Sequence, residues 1–287
     1  MEKQLDFDQI EILVRLAIQE DIGSGDLTSE LVVPPEARAH GVFVAKQEGV
    51  IAGLPVLPIV FSAIDCSLVF NPLVPDGAEV TVGTRLAEVT GSAVSILSSE
   101  RVSLNFLQRL SGIATLTARY VKKIRGTGAK VYDTRKTTPG WRQIEKYSVR
   151  VGGGTNHRMG LYDQVLIKDN HLELSGHQPI TEAVRRAQAG RPAGVLIEVE
   201  AETIAHVEEA IAAGADIIML DNMPVEMMRN AVEMIRASDK PASIEASGNV
   251  SLGTVEAIAQ TGVDYISVGE LTHSADSLDI ALDLYPA

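Results

Sequence analysis

The residues best equipped for chemistry lie between Asp133 and His171. The stretch opens as DTRKTTPGWR, continues as GGGTNHRMG and closes as LIKDNH. From Arg119 to Lys168 there are 12 Lys and Arg against three acids, Asp133, Glu145 and Asp163, a balance of +9 in a chain of net charge −13. A basic island inside an acidic protein suits a small polyanion better than a nucleic-acid surface. Arg135, Lys136 and Arg158 flank predicted strand ends and glycines, where side chains can converge on a ligand. Lys122, Lys123 and Arg125 read instead as a solvated helix face.

Side chains can converge only if the fold brings them to one rim. From Ala129 onward, apolar runs of strand length recur, each ending in a polar or small residue. They cover residues 130–134, 164–168, 195–200, 217–221, 243–247 and 265–269, with helical patterns at 180–189, 201–213, 225–237 and 251–260. Strand and helix alternating at this rhythm indicate a parallel α/β array. AGADIIMLD and TGVDYISVG have the form of barrel repeats, a helix-ending glycine before a buried strand. Six strands are fewer than the eight of a closed barrel, so an open one is expected, with its chemistry at the C-terminal strand ends. Those ends carry three kinds of group. Arg135, Lys136 and Lys168 are cationic, Glu200 and Asp221 are acidic, and Ser247, Gly248 and Gly269 are small. Arginine forks and lysines bind carboxylates. Two carboxylates on adjacent strands suit Mg²⁺, and Gly/Ser turns before helix N-termini suit a phosphate monoester. The expected ligands are two anionic substrates, at least one of them phosphorylated.

Glu198 and Glu245 share strand parity with Glu200 and Ser247, so they face the same interior, where they are expected to neutralise Lys168 or Arg135. His157, beside Arg158 in a glycine loop, reads as functional; His171 stays open between the two roles. The GGG at 152–154 lacks the spacing of a dinucleotide fingerprint, and HExxH, CxxC and Ser–His–Asp patterns are absent.

The rest of the chain sets the context. Residues 7–18 have helical spacing, with Asp6 or Asp8 as cap. The glycine-rich loop 20–30 reads as structural. Between His40 and Gly91 short β segments alternate with turns; their glycines suggest the architecture of biotinyl or lipoyl carrier hairpins, but no carrier lysine stands at a tip. Ser98–Leu116 forms an amphipathic helix with Arg101 in its first turn, where it opposes the helix dipole and could reach a partner's anionic ligand. Cys66, the single cysteine, reads as a small core residue and excludes an internal disulfide. Leu54–Ile64 is too short, and broken by Pro55 and Pro58, to span a membrane. MEKQLDFDQ lacks the apolar core of a signal peptide. A cytoplasmic protein is expected, with neither nucleic acid nor anionic membrane as its main partner.

DTRKTTPGWR, GGGTNHRMGLYDQVLIKDNH, IEVE, MLDNM, EASGNV and VGELTHS, in this order, together with ERVSLNFLQRLSGIAT, resemble the quinolinate phosphoribosyltransferase family over nearly the whole chain. The resemblance implies an N-terminal α/β sandwich over 1–112, an open α/β barrel over 113–274, and a C-terminal segment, 275–287, returning to the sandwich. It implies conversion of quinolinate and phosphoribosyl pyrophosphate to nicotinate mononucleotide, pyrophosphate and CO2, with Mg²⁺, in a homodimer that could assemble further into a hexamer. By motif, Thr134, Arg135, Lys136, His157, Arg158 and Lys168 match the quinolinate-binding set. Arg101 matches an arginine contributed by the neighbouring subunit, and Glu200 and Asp221 match acids near the ribose hydroxyls and the metal. Ser247, Gly248, Gly269 and His273 match the 5′-phosphate region. Lys136, Glu200 and Asp221 are the expected catalytic groups. Glu270, next to Gly269, must point away from a phosphate held there. Two alternatives remain open at this level: a paralogue linked to molybdate-transport operons, and a non-catalytic anion-binding regulator.

Overall fold

The computed structural model describes residues 5–287, so residues 1–4 of the leading segment lie outside the described residues. The chain divides into two compact units. The first runs from the N-terminus to Ala118 and adds Thr137–Gly153 and Thr272–Ala287; the second is Arg119–Lys136 with Gly154–Leu271. Among the described residues, no helix is long and apolar enough to cross a membrane.

The first unit begins with helix α1 (Phe7–Asp21), capped by the Asp6 carboxylate, which accepts from the Gln9 amide at 3.3 Å. Helix α2 (Leu27–Val32) is capped in the same way by Asp26. There follow β1 (Arg38–Ala45), β2 (Gly49–Val50), α3 (Leu57–Ile64), β3 (Val69–Pro72), β4 (Glu79–Val80) and β5 (Arg85–Ser92). Pro55 and Pro58 do not break the run Leu54–Ile64. Each stands at the start of a helical segment, where a missing N–H costs nothing. Cys66, expected in the core, is exposed in the turn after α3. Helix α4 spans Ala93–Lys123. It begins earlier than the Ser98–Leu116 amphipathic pattern, so Arg101 lies in the helix interior rather than in its first turn.

The barrel strands follow: β6 (Lys130–Tyr132), β7 (Val165–Ile167), β8 (Ile197–Ala201), β9 (Ile217–Asp221), β10 (Ser243–Ser247) and β11 (Tyr265–Ser267). The helices along this stretch of chain are α5 (Arg142–Val151), α6 (Asp169–Leu174), α7 (Ile180–Gly190), α8 (Ile204–Ala213), α9 (Val225–Arg236), α10 (Val255–Ala259) and α11 (Glu270–His273). The six strands are parallel in the order β6-β11-β10-β9-β8-β7; Thr155 bridges the outer side of β6 at Tyr132, and among the described residues no pairing joins β6 to β7, so the barrel is open as expected. The two repeats share one device at the strand starts. Asp216 accepts from the Ile197 amide at 2.7 Å and pairs with Arg191; Asp264 accepts from the Ile244 amide at 2.8 Å and pairs with Arg236 at 2.6 Å. Each aspartate ties the start of one strand to its neighbour, which is a stabilising role at the N-terminal face of a barrel.

The last strand, β12 (Ile280–Pro286), returns to the first unit and completes an antiparallel sheet in the order β12-β1-β5-β3. The stretch 137–153, read from sequence as part of the barrel, clusters with this unit. Packing accounts for it: Trp141 stacks on Phe106 with centroids 4.8 Å apart, and Ile144 enters the core around Ile10, Val14 and Leu110. The buried Glu145 carboxylate accepts from Arg109 at 3.0 Å and from the Thr138 amide at 3.0 Å, while Arg109 also donates to the Ala275 carbonyl at 2.7 Å. One guanidinium thus joins α4, α5 and the C-terminal return. A Cβ on Gly112 would stand 1.9 Å from the Asp276 carbonyl oxygen, a backbone atom that cannot swing aside. Gly112→Ala is therefore expected to destabilise the protein by about 2 kcal/mol or more, measured as a lowered urea midpoint at unchanged m-value; an unchanged midpoint would contradict this packing.

Candidate active site

A cavity of about 520 Å³ opens at the C-terminal rim of the barrel. Its lining includes Thr134, Arg135, Lys136, His157, Arg158, Lys168, Glu200, Asp221, Ser247 and Gly248, ten of the residues singled out from sequence. Gly269 comes two residues after the end of β11 and is not part of the lining. Arg101 and His273 belong to the other unit, both exposed; Arg101 lies 4.0 Å from Glu100, and His273 Nδ1 is 2.6 Å from the Ser274 hydroxyl.

The cationic wall is built from the ends of β6 and β7 and the loop between them. Fully buried Asp133 accepts from the His157 amide at 2.9 Å and from the Asn156 side chain, which clamps the 156–158 loop beside the end of β6. Asp163 accepts from the Met159 amide at 2.7 Å and the Gly160 amide at 2.9 Å, closing the next turn. Arg158 then reaches the Gln164 carbonyl at 3.2 Å. Burial and the neighbouring Arg135 charge both press the Arg158 pKa down from its usual value, so an anion between them would relieve real repulsion.

The acidic side lies on β8 and β9. Glu200 pairs with Lys168, and the Asp221 carboxylate accepts from the Asn222 amide nitrogen at 2.7 Å. Burial raises the Glu200 pKa; Lys168 opposes this, whereas Asp221 and Asp169 add to it. The small-residue side is a pair of crossed turns. Asn222 and Asn249 have φ of 52° and 51°, and Gly248 has φ of 89°. The Asn222 backbone amide donates to the Ser247 carbonyl at 2.9 Å, and the Asn249 side chain donates to Asn222 Oδ1 at 3.0 Å. A Cβ on Gly248 would lie 2.1 Å from Asn222 Oδ1, so only glycine fits. The helices after β10 and β11 are single short turns, α10 and α11. The candidate phosphate cradle is therefore made of loop backbone rather than helix N-termini. Glu270 does point away: its carboxylate accepts from the Tyr120 hydroxyl.

Lys168 pairs with Glu200 rather than with Glu198 or Glu245, which departs from the expectation from strand parity. Glu198 and Glu245 are fully buried, and both converge on the His157 imidazole, whose Nε2 lies 3.0 Å from Glu198 and 3.2 Å from Glu245. Gln164 donates to the other side of Glu198 at 2.6 Å, and Ser267 to Glu245 at 2.6 Å. Three such ligand atoms, all within 4.8 Å of one another, could hold a metal ion by spacing alone. The Arg158 amide, however, donates to His157 Nδ1 at 2.7 Å. That makes Nδ1 the acceptor and puts the ring proton on Nε2, facing the carboxylates, so a proton occupies the place a metal would need. His171 acts structurally. Its Nδ1 accepts from the Lys168 amide at 2.9 Å, closing the first turn of α6.

Two family models cover nearly the whole chain: the quinolinate phosphoribosyl transferase N-terminal domain over residues 26–111 and the C-terminal domain over residues 113–283. The chain belongs to the quinolinate phosphoribosyltransferase family. It is 46% identical, over 96% of its length and 93% of the relative's, to a probable carboxylating nicotinate-nucleotide pyrophosphorylase of Bacillus subtilis. It is 41% identical to a decarboxylating quinolinate phosphoribosyltransferase of Nicotiana tabacum, over 95% of this chain and 81% of that one. Among solved structures, NadC from Streptococcus pyogenes superposes with a TM-score of 0.94 at 42% identity, with all of both chains covered.

Asp133, Asn222 and Asn249 also line the cavity, and sequence reading passes over them. The signal is present in MLDNM and EASGNV, where Asn beside an acid or a glycine marks left-handed turns. Glu198 supplies a pH signature. Burial and the Glu245 charge push its carboxyl up to about 7 against the pull of His157. The folded state then holds a proton that the unfolded chain loses near its ordinary value of 4.5. Stability from this group is present below that pH and lost as pH rises towards 7. Glu198→Gln is expected to shrink the fall in Tm between pH 5 and pH 8; identical pH slopes in both proteins would contradict it.

Proposed function

We propose that this chain transfers phosphoribose from phosphoribosyl pyrophosphate to quinolinate with loss of CO2, giving nicotinate mononucleotide and pyrophosphate. The observation that carries the proposal is the division of one cavity into a cationic wall, an acidic pair and a glycine-bearing cradle. The wall of Thr134, Arg135, Lys136, His157, Arg158 and Lys168 suits the two carboxylates of a pyridine dicarboxylate. The cradle of Ser247 and Gly248 is assigned to the 5′-phosphate.

Glu200 and Asp221 offer only carboxylate oxygens, and the Asp221 charge raises the cost of ionising Glu200, so a hard divalent cation fits between them. Mg²⁺ bound there would neutralise the pyrophosphate as it departs. The chain's own groups account for the rest. The cationic wall fixes the ring so that its nitrogen faces the ribose C1′. The nitrogen lone pair forms the new C–N bond as the C–O bond to pyrophosphate breaks, and no protein nucleophile is needed. Glu200 or Asp221 places a negative charge near the oxocarbenium-like ribose. The pyridinium then accepts the electron pair of the bond to the 2-carboxyl group, CO2 leaves, and a proton takes its place on carbon. Lys136 and Arg158 hold the carboxylates in position until CO2 leaves.

The proposal extends to a homodimer in which Arg101 of the partner subunit reaches the substrate, with a hexamer as a further assembly. A cytoplasmic setting suits an acidic chain with one free thiol. Arg135→Ala and Lys136→Ala are each expected to lower kcat/KM for quinolinate by at least about 100-fold, corresponding to roughly 3 kcal/mol for one lost charge-assisted contact. Steady-state assay of nicotinate mononucleotide formation checks this, and turnover intact in either variant would overturn the site assignment.

A further inference from the structure

A buried hydroxyl that the proposed reaction does not use stands behind the glycine-bearing cradle. Tyr120, near the end of α4, is wholly shielded from solvent and does not line the cavity. It belongs to the second unit, as do Leu252 and Glu270. Its hydroxyl donates to the Glu270 carboxylate and accepts from the Leu252 backbone amide. One oxygen thus joins the loop that follows β10 to the start of α11. Burial and the adjacent carboxylate hold the hydroxyl pKa well above the usual tyrosine value, so it stays a donor across the neutral range.

Each of the two joined segments matters to a phosphate. The loop after β10 carries Ser247 and Gly248, and Leu252 lies just beyond them. At the near end the Asn249 side chain donates to Asn222 Oδ1 at 3.0 Å; further on, the Ser251 amide donates to Thr254 Oγ1 at 2.9 Å. The second contact is local to the loop, whereas the Leu252 amide ties the loop to α4. The following helix, α10, has only five residues, so the hold on a phosphate depends on where the loop amides stand. The other segment carries a charge. β11 pairs with β10, and the chain leaving it reaches Glu270, an acid that would repel a phosphate if its carboxylate swung towards the cradle.

We propose that Tyr120 is a positioning residue for the phosphate monoester: its hydroxyl anchors the Leu252 end of the cradle and keeps the Glu270 carboxylate turned away from the bound phosphate. The inference rests on the proposed function for the assignment of the cradle to a 5′-phosphate. Tyr120→Phe isolates the effect, because the ring keeps its buried place while both hydrogen bonds are lost.

Calorimetry on the full-length protein at fixed Mg²⁺ tests this with two probes. Ribose 5-phosphate carries the phosphate monoester; quinolinate carries only carboxylates. In Tyr120→Phe the Kd for ribose 5-phosphate should rise about tenfold, while that for quinolinate stays within about twofold of wild type. Adding Glu270→Gln to Tyr120→Phe should recover at least about threefold, because a neutral amide does not repel the phosphate. The quinolinate stoichiometry counts the folded sites, so a partly unfolded variant does not hide the comparison. A merely structural role would weaken both ligands together and gain nothing from Glu270→Gln. Equal weakening of the two ligands, unchanged binding of ribose 5-phosphate, or no recovery in the double variant would overturn the positioning role. A wild type that binds quinolinate but not ribose 5-phosphate would instead overturn the cradle assignment in the proposed function, and this inference with it.

Discussion

Burying charge inside an open barrel is the constraint on which the rest of the site depends. Strand parity brings Glu198 and Glu200 to one face of β8, and Glu245 and Ser247 to one face of β10. The lower pair has no access to water, so it must find a partner inside. His157 supplies it, and its loop reaches inward because Asp133 accepts from the His157 amide and the Asn156 side chain. That clamp also fixes where Arg158 begins. The placement of the cationic wall therefore follows from the need to satisfy buried carboxylates one layer below it.

The upper layer obeys the opposite logic. Asp221 is close enough to Glu200 to oppose its ionisation, and Lys168 pairs with Glu200. Arg135 and Arg158 repel in the same way across the cavity. A site that gathers cations on one side and acids on the other suits ligands that bring the opposite charges: an anion for one wall, a cation for the other. Strain of this kind is common where stability is traded for binding.

Much of this is legible in the sequence, and the residues show why. The six barrel strands stand out through buried apolar runs with polar ends, because a parallel strand covered on both faces must be apolar until it reaches the rim. Arg135, Lys136, Lys168, Glu200 and Asp221 can be placed by counting to those ends. What periodicity cannot reveal is partner choice. Glu198 and Glu245 are visible as interior acids, but their convergence on His157 depends on a loop between β6 and β7 whose path is set by Asp133. That α5 joins the first unit depends on Trp141, just before it, stacking on Phe106 and on Ile144 entering the helical core around it, contacts distant in sequence. Cys66 departs from expectation because an apolar neighbourhood in sequence becomes an exposed turn in space.

Selection of a pyridine bearing two carboxylates is what the cationic wall must achieve. The direct measurement offers purified protein Mg²⁺ and phosphoribosyl pyrophosphate with either quinolinate or nicotinate, following nicotinate mononucleotide and CO2 together. Equal amounts of both products are expected from quinolinate, and neither from nicotinate. Mononucleotide formed from nicotinate at a comparable rate, or quinolinate bound without CO2 release, would contradict a wall built for two carboxylates.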